Sequence, residues 1–339
     1  NQIGNDKIKW ETTTQTDLGF DFAFFRNTLY GNFDWYFKKT KDILVYMPGI
    51  GVMGEGSSMW INAGEMLNKG FELNVGYRGG VADFSYDIAG NISTNRNEVT
   101  KIPETIAAAG TFGGSGVQSV VGHPMNSYVG YVFDGIFQNQ DEVDNHAVQE
   151  GAGVGRMRFR DLNEDGVITT LDQTWIYDPT PDFTWGLNIY LQYKNLDLTM
   201  FWQGVADQDV YNNQKFQTDF WAITDPGSNK GSRLLGAWNT NNIGSSIPRL
   251  STMNRADEGR ASSYFVENGS YLKLRTLQMG YRLPASLLSK LHMTSARVYV
   301  SGQNLLTIKS SSLTCPDPEN PDWNYPLSSS ISFGLQVGF

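Results

Sequence analysis

The chain has 339 residues, with 26 Lys and Arg against 35 Asp and Glu, a formal charge of −9. That acidity, without any basic run, argues against a nucleic-acid partner, one cysteine (Cys315) rules out an internal disulfide, and the scattered His123, His146 and His292 lack zinc-ligand spacing. Apolar residues make up only 40%, aromatics reach 13% and glycines number 36, which is an all-β composition, and no apolar run is long enough for a transmembrane helix, although barrel strands would leave no such signal.

The chain starts at Asn1, with neither Met nor a signal peptide, and reaches strand-like sequence almost at once, which suggests a processed product or a fragment. Strand signals then follow in order, each alternating with a period of two. WETTTQTDLGFDFAFF opens the series, and Leu29 to Lys38 puts Leu, Gly, Phe, Trp and Phe on one face. Phe71 to Arg78, Phe84 to Ile92, Phe183 to Tyr193, Leu196 to Trp202 and Ile331 to Phe339 repeat the rule. The segment Leu272 to Leu283 changes phase near Arg275, which predicts a bulge. The strands read as roughly 10–13 residues, close to the ~9–11 that cross a bilayer at a tilt, and aromatics gather near their ends.

The connections alternate in length. Tight turns are expected at Arg26-Asn27, Gly79-Gly80 and Lys194-Asn195, with a modest connector from Pro284 to Thr294. Long polar segments lie between them, at about 39–66, 94–181, 204–269 and 305–327. Short turns on one side and long loops on the other are the habit of outer-membrane barrels, and the parity gives about nine antiparallel strands. The alternating stretch Tyr128 to Phe137 would break that parity, so it is assigned to the 94–181 loop, paired with Met157–Phe159. An odd count with an open edge in lipid means that the chain is one part of a barrel.

One metal motif stands out. In DLNEDGVITTLD, Asp161, Asn163 and Asp165 occupy positions 1, 3 and 5 of an EF-hand-like loop, Gly166 the turn, Val167 the carbonyl position and Thr169 position 9. Asp172 stands where a Glu is usual. Hard oxygen donors of this kind suit Ca²⁺ in a structural role, pinning the long loop, and the alternative is a metal-free Asx-rich turn. Trp60, Tyr211, Phe220, Trp221 and Trp238 lie in the long loops, where they either contact substrate or partner or pack on one another. Gly113 to Gly116 lacks the remainder of a phosphate loop. Asp182 and Asp197 read as barrel wall rather than a glycosidase pair, and no Ser-His-Asp set or other catalytic group emerges.

Met157 to Asp172, the run DPTPDFTWGLNIYLQYKNLDLTMFWQG, NKGFELNVGYR, VENGSYLKLRTLQMGYRLP, VYVSGQNLLT and the Asp317-Pro318-Glu319 triplet together resemble the SusC/RagA class of TonB-dependent outer-membrane transporters. The resemblance covers most of the chain, in the family's order. It implies the C-terminal part of a 22-stranded transmembrane barrel, with the other strands, the plug and the TonB contact upstream. It implies import of oligomeric nutrients, glycan or peptide, with a SusD-like surface lipoprotein as lid. The last strand, with Phe333, Leu335, Val337 and the terminal Phe339, resembles the signal read by the outer-membrane assembly machinery. A competing reading is a secreted, calcium-stabilised β protein that binds or cleaves polysaccharide. It predicts short strands whose apolar faces meet in a sandwich.

Overall fold

The computed structural model describes residues 4–47, 59–103, 119–220, 229–251, 258–321 and 325–339. Nine strands form one antiparallel sheet: β1 (Thr12–Phe24), β2 (Leu29–Met47), β3 (Met59–Val81), β4 (Phe84–Lys101), β9 (Phe183–Tyr193), β10 (Leu196–Ala206), β13 (Tyr271–Arg282), β14 (Ser295–Lys309) and β15 (Ser330–Gly338). Each pairs with its neighbour in that order, and β1 and β15 form the two edges. Six short strands lie in the connections: β5 (Tyr128–Tyr131), β6 (Phe133–Ile136), β7 (Met157–Phe159), β8 (Gln173–Tyr177), β11 (Asp209–Tyr211) and β12 (Val266–Asn268). They pair as β5 with β8, β6 with β7, and β11 with β12. The expected pairing of Tyr128–Phe137 with Met157–Phe159 therefore holds for β6 and β7.

Pairing register propagates one apolar face across the whole sheet. Phe20 faces Phe33, which faces Leu73, Ile92, Trp185, Gly204, Leu272 and Ile308 in turn. Nearer the tight turns, Tyr193 faces Leu196, Tyr281, Val298 and Leu335. Most of the large side chains on this face are exposed, Leu18, Phe20, Tyr77, Met279 and Phe333 among them. The opposite face is polar, with rows such as Asp21, Asn32, Asn74 and Asn91. Apolar residues that turn outward on a single sheet need lipid to cover them. This overturns the sandwich alternative, whose apolar faces would meet each other.

The phase change predicted at Arg275 is a bulge: Leu274 pairs with Trp202 and Thr276 with Phe201, leaving Arg275 as the extra residue. It lets Leu272 and Leu274 face outward together with Leu277 and Met279, which a regular strand could not do.

Two expectations need correction. The third hairpin turns at Ala82-Asp83, not at Gly79-Gly80, and Ala82 takes the positive φ of +53°. Gly79 pairs with Tyr86 inside the hairpin, where a Cβ would sit 2.8 Å from the Tyr86 hydroxyl. The glycine makes room for a ring rather than for a turn. Second, β2, β3 and β4 run to 19, 23 and 18 residues, well past the expected 10–13, so much of the polar segment 39–66 is strand. There the period breaks although the ladder continues, because register shifts between Thr40 and Leu44 interrupt it and Val45, Val99 and Ile102 pack with Met125 into a small core. Likewise β14 runs on to Lys309, inside the expected loop 305–327.

Candidate functional site

The segments between β4 and β9 and between β10 and β13 fold together into a cap over the loop end of the sheet. Its core joins Tyr131, Met157, Phe159 and Ile168 of the first segment to Tyr211, Phe220, Tyr264 and Phe265 of the second. Tyr131 donates its backbone N–H to the carbonyl of Ala261 at 2.9 Å, and Phe133 to Ser263 Oγ at 2.9 Å. Buried charges are paired: Arg156 with Glu258, and Lys215 Nζ with Glu267 Oε1 at 2.9 Å. Burial pushes the Lys215 amine below its ordinary pKa despite Glu267 beside it. Tyr264 donates its hydroxyl to Asp219 Oδ2 at 2.5 Å, and burial first, then that carboxylate, raises its pKa.

The Asp-Pro-Glu triplet enters here. Lys273 Nζ, on β13, donates to Asp317 Oδ1 at 2.7 Å and Glu319 Oε2 at 2.5 Å. Arg275, displaced by its bulge, reaches Gln203, Asn304 and Glu319. Tyr271 adds its hydroxyl to Glu319 Oε1 at 2.7 Å. Burial alone would raise both carboxyls, but Lys273 and the neighbouring donors hold them below the ordinary range. The last loop is thus latched to the barrel wall. Cys315 lies within it, buried and free, and burial pushes its thiol up to about 11.

Beside this latch opens a cavity of about 440 Å³, lined by Tyr128, Tyr177, Tyr211, Asp209, Glu319 and Tyr271 among others. The Tyr128 and Tyr211 rings stack with centroids 4.8 Å apart, and Tyr177 meets Tyr128 edge-on at 5.0 Å. Burial raises the Tyr211 hydroxyl to about 12 and raises the Asp209 carboxyl. Aromatic faces beside carboxylates and amides suit a neutral polar oligomer. Tyr211 is a contact candidate from the sequence alone, whereas Tyr128, Tyr177 and Asp209 carry no such signal and join it and Glu319 only through the loop-to-loop packing.

The other loop aromatics fare differently. Trp238 is buried, its Nε1 donating to Gln138 Oε1 at 2.8 Å, and Phe220 lies in the cap core, so neither presents a face to solvent. Tyr211 is also buried and meets the cavity at its wall. These three are packing residues first, because the loops are long enough to build their own core. Trp60 stays exposed, edge-on to Tyr46 on the β2–β3 extension. Trp221 and Gly113 to Gly116 lie outside the described residues.

The EF-hand-like segment folds as a compact loop of side chains bonded to amides. Asp161 Oδ1 accepts from Glu164 N–H and Oδ2 from Gly166 N–H, at 2.8 and 2.9 Å. Asn163 Oδ1 accepts from Asp165 N–H, and Asp165 Oδ1 from Val167 N–H. Gly166 takes φ +82°, the turn expected of it. Asp172 is buried, with its oxygens turned to the amides of Leu162, Asn163 and Thr169. Burial alone would raise that carboxyl, but the amides hold it below its ordinary pKa. Among the described residues no group of three His, Cys, Asp or Glu is placed to hold a metal. A calcium set here depends on Asn163 and the Val167 carbonyl beside Asp161 and Asp165, whose oxygens keep lone pairs after serving the amides. Asp172 and Thr169, expected among the ligands, instead bond to the amides of Leu162, Asn163, Thr169 and Leu171 and close the base of the loop.

A family profile described as "TonB dependent receptor-like, beta-barrel" matches residues 1–305. TonB-dependent receptor P3 of Formosa agariphila is 35% identical over 99% of this chain and 33% of its own length. TonB-dependent receptor SusC of Bacteroides thetaiotaomicron is 28% identical over 99% of this chain and 32% of its own. The RagAB peptide transporter superposes with a TM-score of 0.80 at 24% identity, over 100% of this chain and 36% of that one, which supports the fold. The chain thus spans about a third of the length of these relatives. A lipid-facing nine-strand wall capped by its own loops, in a sequence matched to this family over nearly its whole length, belongs to the TonB-dependent receptor-like β-barrels of the outer membrane.

Proposed function

We propose that this chain forms the lipid-facing wall and extracellular mouth of an outer-membrane importer of oligomeric nutrients, glycan or peptide. The observation that carries this is the tyrosine-lined cavity set between the cap and the mouth of the polar barrel face. SusC and RagAB among the relatives support a TonB-dependent system working with a SusD-like surface lipoprotein, which would meet the cap. The rest of the barrel and a plug would complete the lumen, and TonB would act through that plug. The name of RagAB speaks for peptides and leaves glycans open. No catalytic group enters this reading.

Two smaller assignments belong to it. Ca²⁺ held by Asp161, Asn163, Asp165 and the Val167 carbonyl, with Thr169 and Asp172 supporting, would supply only charge neutralisation and rigidity to the cap. Phe333, Leu335 and Val337 on β15, with Phe339 just beyond it, would serve as the assembly signal, and all four are exposed.

The test is uptake by cells deleted for the protein and complemented with wild type, Tyr128→Ala or Tyr211→Ala. Defined oligosaccharide and peptide mixtures are offered separately. One class should accumulate only with the wild type and fall at least severalfold in the variants at equal surface level. If neither class depends on the protein, the importer reading is wrong.

A further inference from the structure

The outward face of β2, β3 and β4 carries a charge boundary. From the tight turns upward, outward residues stay uncharged from Leu29 to Phe37, from Val81 to Phe71 and from Phe84 to Thr94. These stretches match the ~9–11 residues that a tilted strand needs to cross the hydrocarbon. The next outward residue on each strand is a cation: Lys39, Lys69 and Arg96. Register sets Phe37 opposite Lys69 and Lys69 opposite Arg96, with Lys39 opposite Leu67 one row above. Lys41 and Lys101 stand higher still, and both act, with Lys39, on the carboxylate of Glu65. Two acids share the face: Glu65, which Lys39 pairs at 3.1 Å, and Glu98, opposite Leu67. Lys41, Lys69, Arg96 and Lys101 make no ion pair among the described residues. Elsewhere along the rim the outward face ends in Phe183, Leu272 and Ile308.

A surplus of cations in a chain of charge −9 thus lies on one sector of the wall, at the upper edge of its apolar band. A partner that covers both the apolar band and the row above it is a lipid, and the charge it must bring is negative. We propose that this sector binds the phosphorylated headgroup of an outer-leaflet lipid. Arg96 offers a two-pronged grip on a phosphate and Lys69 a point charge beside it. The acyl chains run down over Phe37, Trp35 and Phe71. A cavity of about 420 Å³ opens next to Lys69 and Arg96, but Glu98, Asp178 and Asp182 also line it. Their carboxylates exclude an anion from its interior and leave the phosphate to the outer row.

The test uses the protein purified from outer membranes and placed in nanodiscs of phosphatidylcholine with a minor share of monophosphoryl lipid A. Lipid retained after detergent extraction is counted by native mass spectrometry. Wild type should retain lipid A in excess over its share. Each neutralised cation should cost about fivefold, so Lys69→Gln with Arg96→Gln should lose roughly twenty- to thirtyfold. Lys69→Arg should keep the lipid. Heat-modifiable migration checks that each variant has assembled. If the double variant does not assemble, raising the salt concentration on wild type must strip the lipid instead. Equal retention in wild type and double variant, no enrichment at all, or displacement of the lipid by millimolar inorganic phosphate would each overturn the assignment. The inference needs only the lipid-facing wall, so its failure leaves the importer reading untouched.

Discussion

Replacing Lys273 by Met should open the last extracellular loop while leaving the barrel wall intact. The Lys273 side chain is 2% exposed and its partner Asp317 is 7% exposed, so the ion pair is dry. Removing one member of such a pair costs about 3–5 kcal/mol, mostly because the other charge stays buried without a partner. Glu319 keeps Arg275 and the Tyr271 hydroxyl, so only Asp317 is stranded, and the lower end applies. About 3 kcal/mol corresponds to a factor of roughly a hundred in the opening equilibrium. Asp317 accepts from the amides of Glu319 at 3.1 Å and Leu327 at 3.0 Å, which makes those amides the reporters. Hydrogen exchange read by mass spectrometry should show them exchanging about a hundredfold faster in Lys273→Met, with β13 and β14 unchanged. Adding Asp317→Asn should recover part of the protection, because it removes the buried charge and its one carbonyl oxygen still accepts one of the two bonds, which sit on different oxygens of Asp317. Unchanged exchange in the single variant, or a uniform rise across the sheet, would refute the latch.

Three further outcomes are expected. Asp317 and Glu319 have lowered folded pKa values, so their contribution is complete above the ordinary carboxylate pKa near 4 and is lost as pH falls below it; the same amides should stay protected at pH 5, and release there would contradict the assignment. Gly155→Ala should destabilise the cap by about 2–4 kcal/mol, since Gly155 has φ +82° and a Cβ there would lie 2.6 Å from the Trp238 ring; limited proteolysis between β10 and β13 reads the loss, and a protease-resistant variant would count against the packing. Calorimetric titration with Ca²⁺ should give binding heat that Asp161→Ala abolishes, and no heat with the wild type would leave the Asp161–Asp172 segment as a metal-free turn.

Much of the wall could be read from sequence because a half-lipid, half-water sheet imposes a two-residue period. Leu29 to Phe37 and Phe183 to Tyr193 follow that period throughout. The Arg275 bulge was visible for the same reason, as a break in that period. The upper reaches of β2 and β3 are less legible because register shifts between Thr40 and Leu44 break the period, and Val45 there packs with Val99, Ile102 and Met125 instead of facing lipid. Gly79-Gly80 misled because glycine serves both turns and ring-covered strand positions, and only the Tyr86 ring tells them apart. The cap was the least legible part. Tyr128, Tyr177, Asp209 and Glu319 come from four separated segments, and no local pattern in any of them points to the others. Trp238 shows the converse: an aromatic in a polar loop looks like a contact residue until the loop proves large enough to bury it.

The crossed construction of the cap bears on the order in which the molecule is built. Every strand of the sheet pairs with its sequence neighbour in the barrel, yet the hydrogen bond from Phe133 to Ser263 spans 130 residues. Closing so wide a loop in a free chain is entropically costly, and the cost shrinks once β4, β9, β10 and β13 stand side by side and bring the two segments together. The cap is therefore a late product of the finished wall rather than a module that could be transplanted. A defect in hairpin insertion should show up first as a cap left unclosed, exposing its core of Tyr131, Phe159 and Phe265 at the cell surface.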